Sequence, residues 1–478
     1  MKTYDKQFIG GVWREGRGER ILEDRDPYTG EVLCRYRSAG PADLDDAFAA
    51  ARAAQKAWYA LAPARRVEAL EKLWRTMDAN RALLDECLLR EAGCTAPKRA
   101  YEVGESVNLC RYYMSFPYRL DGTIQESDNP GQINYVFRKP RGVVTVIAPW
   151  NVPFILALRS VLPAVAAGNA VVLKPASDTP ATALILGELF QEAGMPAGLL
   201  NVVAGAGSEI GDALVLHPGG DMVSFTGSTE VGRRIGSLAG SRVCDVSLEL
   251  GGNNSMLLLP DADLEKAAEK AAFGAFFHQG QICMGLNRII TLPENHEEFC
   301  RLFAAKVRAL KAGNPADPEV FVGPLINAGQ VKRFEKLLAA TLEAGAKALV
   351  EGKTEGNVVH PWVLTEVTMD MPAAHSEMFG PVVSILRAGD PEEMIALANA
   401  TEYGLSNSVF GRDVYRAMQV ARRLESGMVH VNDQSIGDEA HVMFGGEKQS
   451  GIGRFNGDWV LRKFTTEQWL AISSSELG

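Results

Sequence analysis

Cys283 is the residue of this chain whose surroundings most suggest chemistry. It follows the turn-like stretch Gln279-Gly280-Gln281, stands among apolar neighbours and has no acidic residue near it in the chain. Such a thiol is either a small buried side chain, because free cysteines are among the most buried residues, or a nucleophile presented by a loop. The local sequence leaves both interpretations open, so residues elsewhere have to decide.

Asn151 and Glu249 are two polar residues that could assist a reacting thiol. Asn151 follows a strand-like run, where its amide could donate to a developing oxyanion; alternatively, it caps the helix that begins at Pro153. Glu249 lies between two leucines and ahead of two glycines. Burial there would raise the pKa of its carboxyl towards that of a general base, whereas an edge-strand position would leave it facing water.

Two other strand ends could hold the phosphates or ribose of a nucleotide. Gly227 and Ser228 lie between a strand and a helix, and a helix N-terminus offers free N–H groups and a positive dipole end to a phosphate. A merely capped turn is the alternative there. Lys174 ends another strand, and ligands of open α/β sheets bind at the carboxyl ends of strands. An isolated lysine at a strand end is alternatively a solvated charge.

Strands and helices alternate around these residues. Strands are predicted at residues 142–148, 170–173, 200–203, 222–225 and 243–250, with helices at 153–167, 181–194, 208–216 and 229–237. A second series has helices at 264–277, 297–311, 331–344 and 391–399, and strands at 288–292, 382–387, 408–410 and 428–431. Residues 41–114 are predicted to be helical, and residues 8–13, 122–138 and 464–472 to form β structure. The alternation predicts an α/β fold with two doubly wound parallel sheets that meet near Leu250.

The composition argues against several classes of protein. The net charge of −10 argues against nucleic acid or an anionic membrane as a partner, because phosphate binding relies on clustered Lys and Arg. The seven cysteines are scattered without C-x-x-C spacing, so we expect no metal site and no disulfide framework. No signal core or membrane-spanning run is present, and we expect a reducing, cytoplasmic location.

Eight stretches, taken in order, resemble the aldehyde dehydrogenase superfamily, and the likeness covers essentially the whole chain. They are Pro149-Trp150-Asn151, Lys174-Pro175-Ala176-Ser177, Phe225-Thr226-Gly227-Ser228, Leu248-Glu249-Leu250-Gly251-Gly252, Gly280-Gln281-Ile282-Cys283, Glu377-Met378-Phe379-Gly380-Pro381, Tyr403-Gly404-Leu405-Ser406, and Phe444-Gly445-Gly446 with Ser450-Gly451-Ile452-Gly453-Arg454. Each stretch alone is a modest signal, but their shared order makes a chance match negligible.

The resemblance implies catalytic roles for the three residues singled out first. Cys283 would attack the aldehyde to give a thiohemiacetal, and Asn151 would form the oxyanion hole with the backbone N–H of Cys283. Hydride transfer would then leave a thioester. Glu249 would activate the water that hydrolyses it. Because the family's branch that transfers the acyl group to coenzyme A usually lacks this glutamate, its presence favours release of a free carboxylic acid.

The resemblance also implies a dinucleotide cofactor. The implied cofactor residues are Trp150, Lys174, Ser177, Gly227, Ser228, Glu377 and Phe379. Many NAD-specific members carry Glu where this chain has Ser177, so that a carboxylate binds the ribose hydroxyl and repels a 2′-phosphate. Ser177 removes that repulsion without adding a cation, which leaves NAD and NADP both open.

The C-terminal segment is similar to bacterial benzaldehyde, vanillin and salicylaldehyde dehydrogenases. Arg159 lies about two helical turns beyond Asn151 and could line the substrate tunnel; the alternative is a structural ion pair at the helix surface. Succinate-semialdehyde dehydrogenases pair an arginine there with a second one, where this chain has Phe277. One arginine facing an apolar residue favours an aromatic ring bearing a hydroxyl. Apolar walls are expected from Val152, Met284 and Phe444.

Several alternatives stay open beside an aromatic aldehyde dehydrogenase. They are a semialdehyde or aliphatic aldehyde dehydrogenase, a non-catalytic protein on the same scaffold, and a Cys-His hydrolase using His278. The resemblance implies a dinucleotide-binding domain at 1–121 and 142–250 and a catalytic domain at 251–455. It further implies a β extension at 122–141 and 456–478 that pairs subunits into a homodimer or homotetramer.

Overall fold

The computed structural model describes residues 2–473, in which strands and helices alternate as the sequence predicts. The first half contains β1 (Gln7–Ile9), β2 (Val12–Arg14), β3 (Ile21–Arg25), β4 (Val32–Arg37), α1 (Pro41–Tyr59), α2 (Pro63–Ala79), α3 (Arg81–Ala92), α4 (Ala96–Tyr113), β5 (Gly122–Glu126), β6 (Gln132–Pro140), β7 (Val143–Ile147), α5 (Pro153–Ala166), β8 (Ala170–Lys174), α6 (Pro180–Glu192), β9 (Leu200–Val202), α7 (Gly207–Leu216), β10 (Met222–Thr226), α8 (Thr229–Ser241) and β11 (Asp245–Glu249).

The second half begins with another strand and continues the alternation. It contains β12 (Asn254–Leu258), α9 (Leu264–Phe276), β13 (Leu286–Thr291), α10 (Pro293–Arg308), α11 (Ala328–Glu343), β14 (Lys347–Val350), β15 (Thr354–Glu355), β16 (Val358–Val359), β17 (Trp362–Thr365), α12 (Pro372–His375), β18 (Val382–Arg387), α13 (Pro391–Asn399), β19 (Tyr403–Gly404), β20 (Ser406–Phe410), α14 (Val414–Ala421), β21 (Met428–Val431), β22 (Glu447–Lys448), β23 (Gly451–Ile452), α15 (Gly457–Lys463) and β24 (Thr465–Ser473).

Two large, mainly parallel sheets organise the molecule. The first has the strand order β2-β1-β9-β8-β7-β10-β11-β23, and its strands from β9 to β11 run parallel. The second has the order β14-β17-β18-β13-β12-β20-β21, with β14 as its antiparallel edge. The predicted α/β fold with two parallel-sheet domains is therefore confirmed. The hairpin β1–β2 was predicted, whereas its place at the edge of the first sheet and the antiparallel strands β14 and β23 were not.

The middle of the first sheet gathers the ends of its parallel strands at one place. Ile147 lies opposite Lys174 on one side and Phe225 on the other, and Thr226 lies opposite Glu249. The chain passes from β7 to β8 and β9 in one direction and then returns to β10 on the other side of β7. Such a reversal leaves a crevice outside the carboxyl ends of the strands, where open α/β sheets bind ligands.

Helix α5 runs from this crevice into the buried interior of the molecule. Every residue of α5 is buried, since the helix packs against β7, β8 and the helix α4. Pro153 occupies its first turn, where the missing N–H costs nothing. The carboxylate of Glu102 accepts hydrogen bonds from the N–H groups of Phe154 and Ile155, at 2.8 and 3.4 Å. These contacts fix the helix that begins directly after Asn151.

A third sheet with the order β24-β6-β5 joins residues far apart in sequence. Its strands leave several large apolar side chains exposed, including Ile124, Trp469 and Leu470. The strands lie within the predicted β extension, although residues 456–463 of that extension include the helix α15. Residues 474–478 of the prediction lie outside the described residues. The domain boundaries and the pairing of subunits stay predictions.

Some element boundaries differ from those expected, for local reasons. The strand predicted at 243–250 begins at Asp245, because Val243 has a positive φ of 55° and closes a tight turn. The helix predicted at 297–311 begins earlier, at Pro293, because a proline is tolerated in the first turn of a helix. The strand β12 was missed, since its polar start after two glycines lacks a strand pattern. Among residues 2–473, no helix is long and apolar enough to cross a membrane.

Candidate active site

A cleft at the strand ends of the first sheet collects seven of the ten predicted catalytic and cofactor residues. Its lining residues are Pro149, Trp150, Asn151, Leu156, Thr226, Gly227, Ser228, Leu250, Gly251, Cys283, Gln330, Arg333, Glu377 and Phe379. They come from β10 of the first sheet, from the helices α5 and α11, and from loops that include those before β13 and β18 of the second sheet. The cleft therefore unites residues that are more than 200 positions apart in the sequence.

Cys283 lies at the floor of this cleft, in the loop between α9 and β13, and is partly exposed. Burial raises the pKa of its thiol to about 12, and the nearby charge of Glu249 acts in the same direction. The thiol is therefore protonated at neutral pH and needs a proton acceptor before it can attack. Gly252 leaves room for the loop, since a Cβ there would lie 2.4 Å from the carbonyl oxygen of Cys283.

A left-handed turn sets the path of the chain before Cys283. His278 and Gln279 have φ values of 50° and 57°, and Gly280 follows at 70°. Each non-glycine residue in this region costs about 1–2 kcal/mol, so the turn must be held by its surroundings. The side chain of Gln279 donates to the carbonyl of Pro324 at 2.8 Å, which supplies one such contact.

Asn151 is tied to the same loop. Its Nδ2 donates to the carbonyl oxygen of Gln281 at 2.9 Å, and Asn151 is almost completely buried. An amide nitrogen carries two N–H donors, so one remains for a ligand beside Cys283. The alternative role as a helix cap is wrong, because Val152 occupies the N-cap position of α5 and the N–H groups of its first turn are bonded by Glu102.

Glu249 is buried, with 2% of its surface exposed, and does not face water as the edge-strand alternative required. The short strand β23 covers it, because Gly451 pairs with Glu249 on the outer side of the sheet. Among residues 2–473, its Oε2 has no hydrogen-bond partner. Burial raises the pKa of Glu249 to about 8, although the charges of Arg159 and Arg454 oppose the rise. A carboxylate with this pKa is suited to act as a base near neutral pH.

Lys174 and Ser228 offer hydrogen-bond donors for an anionic dinucleotide. Lys174 is buried and not solvated, and burial lowers the pKa of its ammonium to about 8. Its Nζ makes one hydrogen bond, to the carbonyl of Pro175 at 2.9 Å, which leaves donors free. Ser228 caps α8 by accepting from the N–H of Val231, and the N-terminus of α8 opens onto the cleft beside Gly227. These groups fit the phosphates and ribose of a dinucleotide.

Ser177 lies beyond Lys174, and its hydroxyl donates to the carbonyl of Gly205 at 3.4 Å. It is half-buried and uncharged, so the position carries no carboxylate to repel a 2′-phosphate. Tyr36 donates to the carbonyl oxygen of Ser177 at 3.4 Å, which fixes the backbone there.

Glu377 and Phe379 form the wall of the cleft that faces Trp150. The Oε1 of Glu377 accepts from the N–H of Gly252 at 3.1 Å, and burial raises the pKa of this carboxyl to about 7. Phe379 has a φ of 49°, and its ring meets that of Trp150 edge-on at 5.4 Å. A carboxylate and an aromatic edge on one wall fit the ribose and ring of a nicotinamide.

A second cavity lies on the other side of Cys283, and it brings together all five predicted substrate residues. Its lining residues are Lys98, Tyr101, Val152, Ile155, Leu156, Arg159, Phe277, Ile282, Cys283, Met284, Ile436, Asp438 and Phe444. One alternative placed Arg159 at a helix surface, but Arg159 is buried. It forms an ion pair with Asp438 and lies 4.0 Å from the centre of the Phe444 ring.

Three polar residues of this cavity were not predicted from the sequence. Lys98 and Tyr101 lie one turn apart on α4, where the helical pattern shows which face is buried but not what it faces. Asp438 lies in a stretch that carries the subfamily likeness, but no pattern marks it as the partner of Arg159. His278, considered for a Cys-His hydrolase, is buried, and burial lowers the pKa of its ring well below the usual value. Its ring does not line either cavity.

Comparisons with known proteins agree with this geometry. A family model described as the aldehyde dehydrogenase family matches residues 13–470. A vanillin dehydrogenase of Corynebacterium glutamicum is 46% identical over 98% of both chains. The solved structure of an NAD-dependent benzaldehyde dehydrogenase from Corynebacterium glutamicum superposes with a TM-score of 0.90 at 43% identity, covering 98% of both chains.

A salicylaldehyde dehydrogenase from Pseudomonas putida G7, solved in complex with salicylaldehyde, superposes with a TM-score of 0.95 at 33% identity and covers 98% of both chains. The likeness thus extends over the sequence, the order of the elements and the positions of the strand ends. The chain belongs to the aldehyde dehydrogenase family.

Proposed function

We propose that this chain oxidises an aromatic aldehyde to the carboxylic acid, with NAD or NADP as the oxidant. The observation that supports it most directly is the position of Cys283 between two spaces. One is the cleft that holds Ser228, Glu377 and Phe379, and the other is the largely apolar cavity that holds Phe277 and Phe444. The relatives act on vanillin, benzaldehyde and salicylaldehyde, which supports an aromatic substrate here.

The first step is attack of the Cys283 sulfur on the aldehyde carbon, with loss of the thiol proton. Glu249 is the base placed to take that proton, since its Oε2 is unpaired and its carboxyl has a raised pKa. The carbonyl oxygen becomes negative and accepts from the free N–H of Asn151. One such donor is typically worth about 10²–10³ in rate.

The second half of the reaction breaks the acyl-sulfur bond. NAD or NADP, held by Ser228, Glu377 and Phe379, would supply the hydride acceptor. Loss of hydride from the thiohemiacetal carbon leaves an acyl thioester on Cys283. Glu249 releases to solvent the proton that it took from Cys283, and then removes a proton from a water molecule that attacks the acyl carbon; that proton passes to the sulfur of Cys283 as the acid leaves. The products are the carboxylic acid and the restored thiol of Cys283. Because the same carboxylate serves both halves, its ionisation governs the turnover rate.

The seven cysteines are all free, which supports a reducing compartment, and we infer that the chain acts in the cytoplasm. We also infer a homo-oligomer. The sheet of β24, β6 and β5 exposes large apolar side chains along its surface, and such patches mark contact surfaces between proteins. Light scattering at several protein concentrations tests the homo-oligomer, and a monomer at all of them would contradict it.

A substrate panel tests the proposed function. We expect kcat/KM to be higher for benzaldehyde, vanillin and salicylaldehyde than for succinate semialdehyde, with NAD and with NADP. Replacing Cys283 by alanine should abolish oxidation of every aldehyde but leave cofactor binding, measured by calorimetry, intact. Retained turnover in Cys283→Ala would contradict the assigned nucleophile. A preference for the semialdehyde would contradict the aromatic substrate.

A further inference from the structure

Arg159 is one of two cations in the cavity beside Cys283, and part of its guanidinium is already occupied. Its Nη2 pairs with Asp438, and the two side chains are only 3% and 7% exposed. Its Nε and Nη1 have no hydrogen-bond partner among residues 2–473. The cavity therefore contains donor groups whose positive charge is already balanced by a carboxylate.

Asp438 is held in place by a chain of buried contacts. Its Oδ1 accepts from the Nδ2 of Asn456 at 2.7 Å, and Asn456 in turn accepts from the hydroxyl of Tyr113 at 3.3 Å. Asn456 also donates to the backbone carbonyl of Glu439 at 3.0 Å. These contacts fix Asp438 from the side away from the cavity, so it cannot swing aside to make room for another anion on Arg159.

The second cation of the cavity is balanced in the same way. Lys98 is buried and pairs with Glu102, whose carboxylate also accepts from the backbone at the start of α5. The facing wall is apolar, because Phe277 stacks on Phe273 at 4.6 Å and meets Tyr101 edge-on at 6.1 Å. Both cations in the cavity thus have a buried carboxylate partner supplied by the chain.

A balanced pair discriminates between ligands by their charge. A carboxylate that enters the cavity would place two anions against one guanidinium in a space with little water, where the interaction between like charges is strong. A hydroxyl on the ring adds no charge, and its oxygen can accept from the unpaired Nε or Nη1 of Arg159. When a ring without a hydroxyl is bound, those buried donors stay unpaired, which costs free energy.

We propose that Asp438 is a positioning residue for specificity. Acting through Arg159, it makes the cavity accept aromatic aldehydes with a neutral ring hydroxyl and reject aldehydes with a carboxylate. This inference rests on the proposed function, since it concerns which aldehyde reaches Cys283.

The test compares aldehydes that differ only in one ring substituent. The substrates are benzaldehyde and its meta- and para-hydroxy and meta- and para-carboxy derivatives, measured with NAD. We expect Asp438→Asn to raise kcat/KM for the carboxy derivatives relative to benzaldehyde by at least about tenfold, mainly through KM, because a carboxylate then becomes the partner of Arg159. Asp438→Glu, which keeps the charge, should restore rejection of the carboxylates.

Glu439→Gln is the matched control, because Glu439 is the exposed neighbour of Asp438 and its side chain pairs with His441 instead. It changes the net charge equally and should leave the substrate ratios as in the unmodified chain. An unchanged ratio in Asp438→Asn, with benzaldehyde still oxidised, would overturn this inference alone. Failure of the unmodified chain to oxidise any aromatic aldehyde would overturn the proposed function as well.

A second variant covers the case in which Asp438→Asn does not fold, since a buried unpaired charge is strongly destabilising. The double variant Arg159→Met with Asp438→Asn removes both charges together. We expect it to oxidise benzaldehyde while its preference for the hydroxybenzaldehydes over benzaldehyde falls by about tenfold. If the double variant still prefers the hydroxybenzaldehydes over benzaldehyde as strongly as the unmodified chain does, the inference is overturned.

Discussion

The side-chain amide of Asn151 donates to the backbone carbonyl of Gln281 at 2.9 Å, two residues before Cys283 in the chain. The loop after β7 of the first sheet supplies the amide, and the loop before β13 of the second sheet supplies the thiol. The hydrogen bond fixes the two against each other. The remaining N–H of the same amide is the donor that we propose for an aldehyde oxygen bound beside Cys283.

Asn151→Ala should lower kcat by about 10²–10³, because the developing oxyanion loses a donor. The loop of Cys283 also loses its contact through Gln281, so the rate of thiol alkylation should change as well. Stopped-flow measurement of reduced cofactor gives the first quantity. Asn108→Ala, at an exposed site where the amide contacts only Glu105, is the matched control. A loss in kcat below about fivefold would contradict the oxyanion role, given the expected size of such losses.

Glu249 makes the reaction depend on pH. Its pKa of about 8 means that the carboxylate form, which is the active base, increases as the pH rises through that value. We therefore expect kcat to rise with pH up to about 8 and then to level off. The pH profile of kcat with benzaldehyde measures this. A rate that falls over the same interval would contradict the role of Glu249 as base.

Glu249→Gln should remove the dependence of kcat on pH and slow thioester hydrolysis more than hydride transfer. Stopped-flow measurement of this variant should then show a burst of reduced cofactor followed by slow turnover. Glu402→Gln is the control, because Glu402 is exposed and pairs with Arg233 at 2.8 Å. If the steady rate falls by no more than the burst rate in Glu249→Gln, thioester hydrolysis does not depend on this carboxylate more than thiol attack does.

The strand ends of the site could be predicted because the physics of parallel sheets is regular. Lys174, Ser228 and Glu249 each follow a recognisable strand, and adjacent parallel strands bring their carboxyl ends to one edge. No knowledge of side-chain contacts was needed for that step. The sheet order, with the reversal beside β7, then places these residues around one crevice.

The contacts between distant segments could not be predicted in the same way. Asp438 meets Arg159 across 279 positions of the chain, and either residue alone would suit an exposed site. The left-handed residues Gln279 and Val243 are equally hidden, because neither type favours a positive φ. The sequence predicted that α4 is helical but not that Tyr101 faces the cavity.

Ser177→Glu should shift the cofactor preference towards NAD. The new carboxylate would lie where the ribose 2′ position is expected, beyond Lys174, and would repel a 2′-phosphate. We expect the ratio of kcat/KM with NAD to that with NADP to rise by at least about tenfold, since a like-charge contact costs a few kcal/mol. Ser177→Gln has the same size without the charge and should change the ratio far less. Equal shifts in both variants would assign the effect to size instead.

Val243 is strained in a way that glycine would relieve. It has a φ of 55°, is 96% exposed and closes the turn between α8 and β11. A β-branched residue in that region costs about 1–2 kcal/mol, whereas the extra backbone entropy of glycine costs roughly 0.5–1 kcal/mol. Val243→Gly should therefore raise the free energy of unfolding by up to about 1 kcal/mol, measured as a higher Tm at fixed protein concentration. Val12→Gly, at an exposed strand residue without positive φ, should lower Tm instead, and a decrease in both variants would contradict the strain at Val243.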